Sequence, residues 1–305
     1  MKKWLMEILC NPYTGAKLLE ENENILFDAD GVAFPICRGV PVFLDQQGED
    51  ETDREFHYIN HYTIDAEVFD YYRDKHDRLE EASVGLLQTS ILKQIPKTTR
   101  MLLDVGCGCA YIAKHFMNTG VKVVSLDVAQ ANAEKALSSY PSGNHASVVA
   151  DAFALPFKEN TFDCVVASEI IEHTIDPVAF IEALKRVLKP GGTLIVSTPY
   201  KEKIEYSLCI HCNCKTPKNA HLHSFDKNNM KKLYAKATMN IDTVTLVGNK
   251  FLLYSRMVLL FEILGCRVWK LIDNIFNNLY NENYFINIYN TSGLVIEFIG
   301  GEPLL

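Results

Sequence analysis

The chain has 305 residues, 48% of them hydrophobic, enough apolar material for one large globular domain with additions or for two domains. Its net charge of −8 and pI near 5.6 argue against a general nucleic-acid binder, which needs a basic footprint for phosphate contacts, and leave room only for a local basic groove. Nine cysteines, an odd number, read as a reducing, cytoplasmic setting; the apolar stretch from Trp4 to Cys10 is short for a leader and is interrupted by Glu7.

Residues 1–48 read as a small β-rich module. Leu5–Leu9 is a short amphipathic helix, and Cys10-Asn11-Pro12-Tyr13-Thr14-Gly15 is a turn. Ile25–Phe27 and Gly31–Phe34 are strand-like about an Asp-rich turn, and Pro35–Leu44 closes the unit. The module resembles the zinc-ribbon-like domain of the small activator subunit of tRNA methyltransferases. The zinc form of that family carries Cys-Pro-x-Cys at the first turn; here only Cys10 fits, and Tyr13 stands where the second cysteine belongs. One thiolate cannot build a tetrahedral site, so the module is expected to be metal-free and held by apolar packing. Residues 49–97 read as an acidic linker running into a helical lid. Glu55–Ile95 is helical and dense in aromatics and histidines, among them Phe56, His61, Tyr62, Tyr71 and Tyr72.

Met101–Val105 is an apolar run that reads as a buried parallel strand. It breaks into Gly106-Cys107-Gly108, and Tyr111–Met117 follows as a helix. Glycines suit a tight turn that lets a ligand approach the backbone. A second apolar run, Val121–Leu126, ends in Asp127, 21 residues after Gly106. A carboxylate there can accept both hydroxyl hydrogens of a ribose, so the segment reads as a nucleoside-binding βαβ unit. The third glycine of a dinucleotide fold is missing, and no Lys-Ser/Thr pair marks a phosphate loop. Asp104, just before the glycines, would repel a pyrophosphate but suits a ligand bearing an ammonium and a sulfonium.

These residues resemble motif I of the class I S-adenosylmethionine (SAM)-dependent methyltransferases. The resemblance covers residues 98–200 in the family's order. Val148-Val149-Ala150-Asp151-Ala152 looks like the end of its third strand, whose Asp contacts the adenine amino group. Val165–Glu169 looks like the fourth strand and its tip, with Glu172-His173 close behind. Phe180–Leu188 is a helix stopped by Lys189-Pro190-Gly191-Gly192, and Thr193–Ser197 is the fifth strand. The resemblance implies an α/β fold with a seven-stranded, Rossmann-like doubly wound sheet over residues 98–305. It implies a SAM site formed by Tyr62, Asp104, Gly106, Cys107, Gly108, Asp127, Val128, Asp151, Ala152 and Ser168. The segment before motif I folds over SAM in such enzymes, which makes Tyr62, Asp65 and Tyr72 candidates for the lid.

Residues 206–225 read as an irregular Cys/His insertion after strand five, at the sheet edge where ligands bind. Cys209-x-x-Cys212 with His221-x-His223 is an inventory for one structural zinc, with Cys214 or His211 as substitutes. His221 to Phe225 also resembles a segment beside the acceptor pocket of small-molecule methyltransferases, so His221 is either a metal ligand or an active-site base. Asp226–Lys236 is a helix, Ile241–Val247 a strand and Leu294–Ile299 the final strand. Phe251–Tyr280 is apolar at helical spacing and reads as core packing, a homodimer face or a peripheral contact with a membrane or lipidic substrate. It carries no membrane span.

The function expected is a cytoplasmic SAM-dependent methyltransferase acting on a small or carrier-linked metabolite at oxygen, with His173, His221 or His223 as base. The strand-four tip, Ser168-Glu169-Ile170-Ile171, lacks the Asn/Asp-Pro-Pro-aromatic sequence of enzymes that methylate base amino groups. An RNA methyltransferase and a non-catalytic SAM-fold adaptor are the alternatives.

Overall fold

The computed structural model describes residues 1–44, 58–68, 72, 78–208, 215–241, 243–247, 284–290 and 297–299. In chain order the elements are α1 (Lys3–Ile8), β1 (Leu19–Asn22), β2 (Ile25–Phe27), β3 (Ala33–Cys37), β4 (Val40–Pro41), α2 (Tyr58–Val68), α3 (Arg78–Gln94), β5 (Met101–Val105), α4 (Tyr111–Phe116), β6 (Lys122–Asp127), α5 (Gln130–Ser139), β7 (His145–Val149), β8 (Phe162–Ser168), α6 (Pro177–Val187), β9 (Leu188–Pro199), β10 (Tyr206–Leu208), β11 (Lys215–Pro217), α7 (Lys227–Lys236), β12 (Thr243–Val247), β13 (Tyr284–Asn290) and β14 (Glu297–Ile299). They form two compact units, one of residues 1–73, 98–166 and 183–190, the other of 74–97, 167–182 and 191–305.

In the first unit the strand order is β8-β5-β6-β7, with β5–β6 and β6–β7 parallel. A parallel sheet is covered on both faces, and its strands read as continuous apolar runs rather than alternating ones. Leu102, Leu103, Val124, Val148, Val149, Val165 and Val166 are accordingly all buried. Leu103 lies opposite Val124, which lies opposite Ala146. Truncating such a side chain loses its transfer free energy and leaves a cavity. Leu103→Ala is expected to lower unfolding free energy by about 2–5 kcal/mol, read as a lower urea midpoint at unchanged slope. An unmoved midpoint would place Leu103 outside the core.

The N-terminal strands form an antiparallel sheet in the order β1-β2-β3-β4. Its first turn is tied by the buried pair Asn11 and Asp28: Asn11 Nδ2 donates to Asp28 Oδ2 at 2.6 Å, and Asn11 Oδ1 accepts from the amides of Tyr13 and Thr14. The sheet belongs to the same unit as the parallel strands. Val42 bridges Val149 in parallel, the Phe43 amide donates to the Val149 carbonyl at 2.8 Å, and Val40, Val42, Ala133 and Val149 form one buried apolar cluster. Further along the seam the Cys10 amide donates to the Pro156 carbonyl at 3.0 Å, Trp4 Nε1 donates to the Gly143 carbonyl at 2.9 Å, and Lys2 Nζ donates to the carbonyls of Ser142 and His145.

In the second unit β9 pairs antiparallel with β13, from Thr193 opposite Asn290 to Pro199 opposite Tyr284. The order is β12-β13-β9, and β14 also pairs with β13. Helix α3 packs against β12 and β14. Asp226 caps α7 by accepting from the amides of Asn228 and Asn229, while Asn229 Oδ1 accepts from the Asp226 amide.

The structure corrects the sequence reading at two places. Tyr284–Asn290, which the sequence does not mark as a strand, lies beside β9, and the final strand expected at 294–299 is Glu297–Ile299, paired with β13. Residues 206–223 are not wholly irregular, because β10 and β11 pair antiparallel with Tyr206 opposite Pro217 and Leu208 opposite Lys215. The apolar stretch 251–280 lies outside the described residues. Among the described residues no helix is long and apolar enough to cross a membrane.

Candidate active site

The glycine turn of the first unit is built around Asp127. Gly106 and Gly108 take positive φ, 68° and 45°, which glycine adopts without the Cβ penalty. The amides of Gly106 and Cys107 donate to the Leu126 carbonyl at 2.8 and 3.0 Å, bending the chain across the end of β6. Asp127, buried at that end, accepts from the Ala129 amide at 2.9 Å and the Gly108 amide at 3.1 Å. Burial raises its pKa, opposed by these amides and by Asn132 and Cys107. Asp104 is also buried, and its Oδ2 has no hydrogen-bond partner. Burial, with the charge of Asp127 adding to it, pushes the Asp104 pKa up to about 8. A buried carboxyl with an unused oxygen is costly and suits a site completed by a cationic ligand.

Cys107, Val128, Asp151, Ala152, Tyr62 and Tyr72, also expected at the SAM site, lie in the same unit. Cys107 is buried, and its thiol is pushed up by burial and by the neighbouring carboxylates. Val128 is half-buried directly after Asp127. Asp151 is half-buried and forms a turn in which its Oδ1 accepts from the Phe153 amide at 3.0 Å, with Ala152 inside that turn. Tyr62 is half-buried on α2 with its ring edge-on to His61 at 5.1 Å. Tyr72 packs 6.3 Å from the Tyr140 ring, with Lys135 Nζ 4.8 Å from its centroid. Burial raises the Tyr72 pKa, and Cys107, Cys109, Tyr140 and Asp127 reinforce the shift.

The second unit holds the histidines. Ser168 Oγ and Ser197 Oγ are 2.9 Å apart, and Glu169, at a left-handed φ of 56°, receives Ser197 Oγ on Oε1 at 2.7 Å. Behind it the turn 171–173 meets the segment 220–223. The amides of Leu222 and His223 both donate to the Glu172 carbonyl, at 2.8 and 3.1 Å. His173 Nδ1 donates to the Ala220 carbonyl at 3.3 Å, and His223 Nε2 donates to the Thr174 carbonyl at 2.9 Å. His221 Nδ1 lies 2.6 Å from Glu202 Oε2. The rings of His173 and His221 meet edge to face, centroids 4.6 Å apart. Glu172, His173 and His221 bring their polar atoms within 4.8 Å of one another, a grouping compatible with one cation. Glu172 is buried and neither carboxylate oxygen has a well-formed hydrogen bond. Burial, then the charge of Glu169, raises its pKa well above the carboxylate range, and nearby Thr198 only partly offsets this.

The sequence reading singled out His173 and His221 and gave no role to Glu169, Glu172 or Glu202, which belong to the same unit. The first two were legible as acids three apart at a strand tip; Glu202 carries no sequence signal. Of the four expected zinc ligands, Cys209 and Cys212 lie outside the described residues. His221 and His223 hold separate partners, Glu202 and the Thr174 carbonyl, rather than converging on one point.

Residues 103–196 match the family model described as a methyltransferase domain. The chain is also similar to curated proteins. It is 33% identical over 113 residues to the ubiquinone biosynthesis O-methyltransferase of Cereibacter sphaeroides, covering 36% of this chain and 45% of that protein. It is 29% identical over 145 residues to the mitochondrial ubiquinone biosynthesis O-methyltransferase of Homo sapiens, covering 43% of this chain and 39% of that protein. The chain therefore spans less than half the length of each. Among solved structures, the 1,6-didemethyltoxoflavin-N1-methyltransferase of Burkholderia thailandensis is 13% identical, with a TM-score of 0.48, over 90% of this chain and 98% of that one.

Proposed function

We propose that this chain is a cytoplasmic SAM-dependent methyltransferase that methylates an oxygen of a small or carrier-linked metabolite. The observation that carries the reading is the buried Asp104 with its unused Oδ2, set before the Gly106–Gly108 turn and Asp127. The methyltransferase-domain match over residues 103–196 and the names of the curated relatives support it. Bound SAM supplies a methyl group made electrophilic by a sulfonium. Asp104 would balance the cofactor's positive charge, Asp127 would accept from the ribose hydroxyls and Asp151 from the adenine amino group. Tyr62, Tyr72, Val128 and Ala152 would exclude water around them.

The acceptor hydroxyl must lose its proton as its oxygen forms the new bond. His221 would take that proton on Nε2, since Nδ1 faces Glu202. This reading does not draw on zinc. His221→Gln is expected to lower kcat about 100- to 10,000-fold while leaving the SAM dissociation constant unchanged. The measurement is transfer of labelled methyl from SAM to a catechol such as 3,4-dihydroxybenzoate. Unchanged kcat would remove His221 as the base.

A further inference from the structure

We propose that Glu202 is the positioning residue of the acceptor-side base: it fixes His221 as the Nδ1–H tautomer and so leaves Nε2 as the proton-accepting atom. This role rests on the reading of His221 as the base. A carboxylate accepts and cannot donate when ionised, so the 2.6 Å contact at Nδ1 selects the tautomer. Both side chains are largely withdrawn from water, 6% exposed for His221 and 15% for Glu202, where such a contact is less screened than at the surface.

The backbone gives a second, independent observation. Lys201, directly before Glu202, has φ 52°, and Ala220, directly before His221, has φ 55°. Left-handed backbone costs a non-glycine residue about 1–3 kcal/mol and persists only where the surroundings over-determine it. Here they do. The Lys201 amide donates to the Phe225 carbonyl at 2.7 Å, Tyr200 bridges Phe225 in parallel, and the amides of Leu222 and His223 are held by the Glu172 carbonyl. His173 closes the frame, donating to the Ala220 carbonyl and stacking edge-on against the His221 ring. The two strained residues therefore sit where the chain must turn Glu202 and His221 toward each other. In the reaction the acceptor's proton moves to Nε2, the Nδ1 proton stays on His221, and Glu202 remains an anion that offsets the imidazolium.

The test uses the full chain, uniformly 15N-labelled, with wild type, Glu202→Gln and Glu202→Ala. Long-range 1H–15N spectra report the His221 tautomer without any substrate. The Nδ1–H form is expected in wild type and in Glu202→Gln, whose amide oxygen can still accept, with a substantial Nε2–H population in Glu202→Ala. With 3,4-dihydroxybenzoate as the probe acceptor, kcat is expected to fall about 100-fold in Glu202→Ala and less than about tenfold in Glu202→Gln, with KM for SAM unchanged in both. A pure Nδ1–H signal in Glu202→Ala overturns the proposal. So does full activity of Glu202→Ala where His221→Gln is inactive. Full activity of His221→Gln would instead sink the base reading, and the proposal with it.

Discussion

Replacing Asp104 by asparagine is expected to make the ligand-free protein more stable at pH 8 and, at the same time, to abolish most of its affinity for SAM. The sign follows from the pKa. Asp104 is raised from the ordinary 3.8 to about 8, chiefly by burial. The folded state therefore holds this proton more tightly than the unfolded chain. The stability that the proton contributes is complete below about pH 4 and is lost as the pH rises through about 8. Asp104→Asn is neutral throughout. Its advantage over wild type should vanish near pH 4 and reach several kcal/mol by pH 8, since each tenfold gain in proton affinity on folding is worth about 1.4 kcal/mol. SAM should reverse the order. A cation beside the carboxylate favours its charged form, so wild type gains thermal stability from SAM and releases a proton on binding it. The variant, lacking a charge-assisted contact worth about 1.5–3 kcal/mol, should bind roughly 10- to 100-fold more weakly. Thermal melts of both proteins at pH 5 and pH 8, with and without SAM, check this. Equal melting temperatures at both values would mean that Asp104 is not held neutral.

Placing a carboxylate at Val42 should be at least as damaging, and through packing rather than chemistry. Val42 is 8% exposed, in one cluster with Val40, Ala133 and Val149. Val42 and Phe43 pair with Val149 at the outer edge of β7, where an uncovered row of amides and carbonyls invites association. Val42→Asp would bury a charge in that cluster, where it finds no polar match; the expected cost is about 3 kcal/mol or more. Val42→Ile, which keeps the apolar surface, should cost less than about 1.5 kcal/mol. Chemical denaturation gives the stability difference, and size-exclusion chromatography reports whether the exposed edge self-associates. A Val42→Asp protein as stable as wild type and of the same oligomeric state would mean that the N-terminal sheet is an appendage, not a part of the fold.

These two sites mark what can be read from a sequence of this kind and what cannot. Asp104, the glycine turn and Asp127 are close in the chain, and their identity follows from one apolar run, one turn and one spacing. All three form as expected because a buried parallel strand and a Gly turn are locally specified. The N-terminal strands were equally visible, yet their seat on β7 was not, since it depends on residues more than 100 positions apart meeting as backbone partners, Val42 with Val149. Strand β13 escaped because its run of aromatic and β-branched residues, Tyr284–Asn290, follows a long apolar stretch of helical period, which masked its shorter signal. Glu202 escaped for a deeper reason. Its approach to His221 needs left-handed φ at Lys201 and Ala220, and neither residue type announces that conformation.

The most direct test is isothermal titration of SAM into the full chain at pH 7.5, repeated in buffers of different ionisation enthalpy. Saturable one-to-one binding is expected, with a proton released to the buffer; it should be weakened in Asp104→Asn and lost in Asp127→Ala. No binding to a folded wild-type protein would contradict the central claim that residues 101–151 form a SAM site.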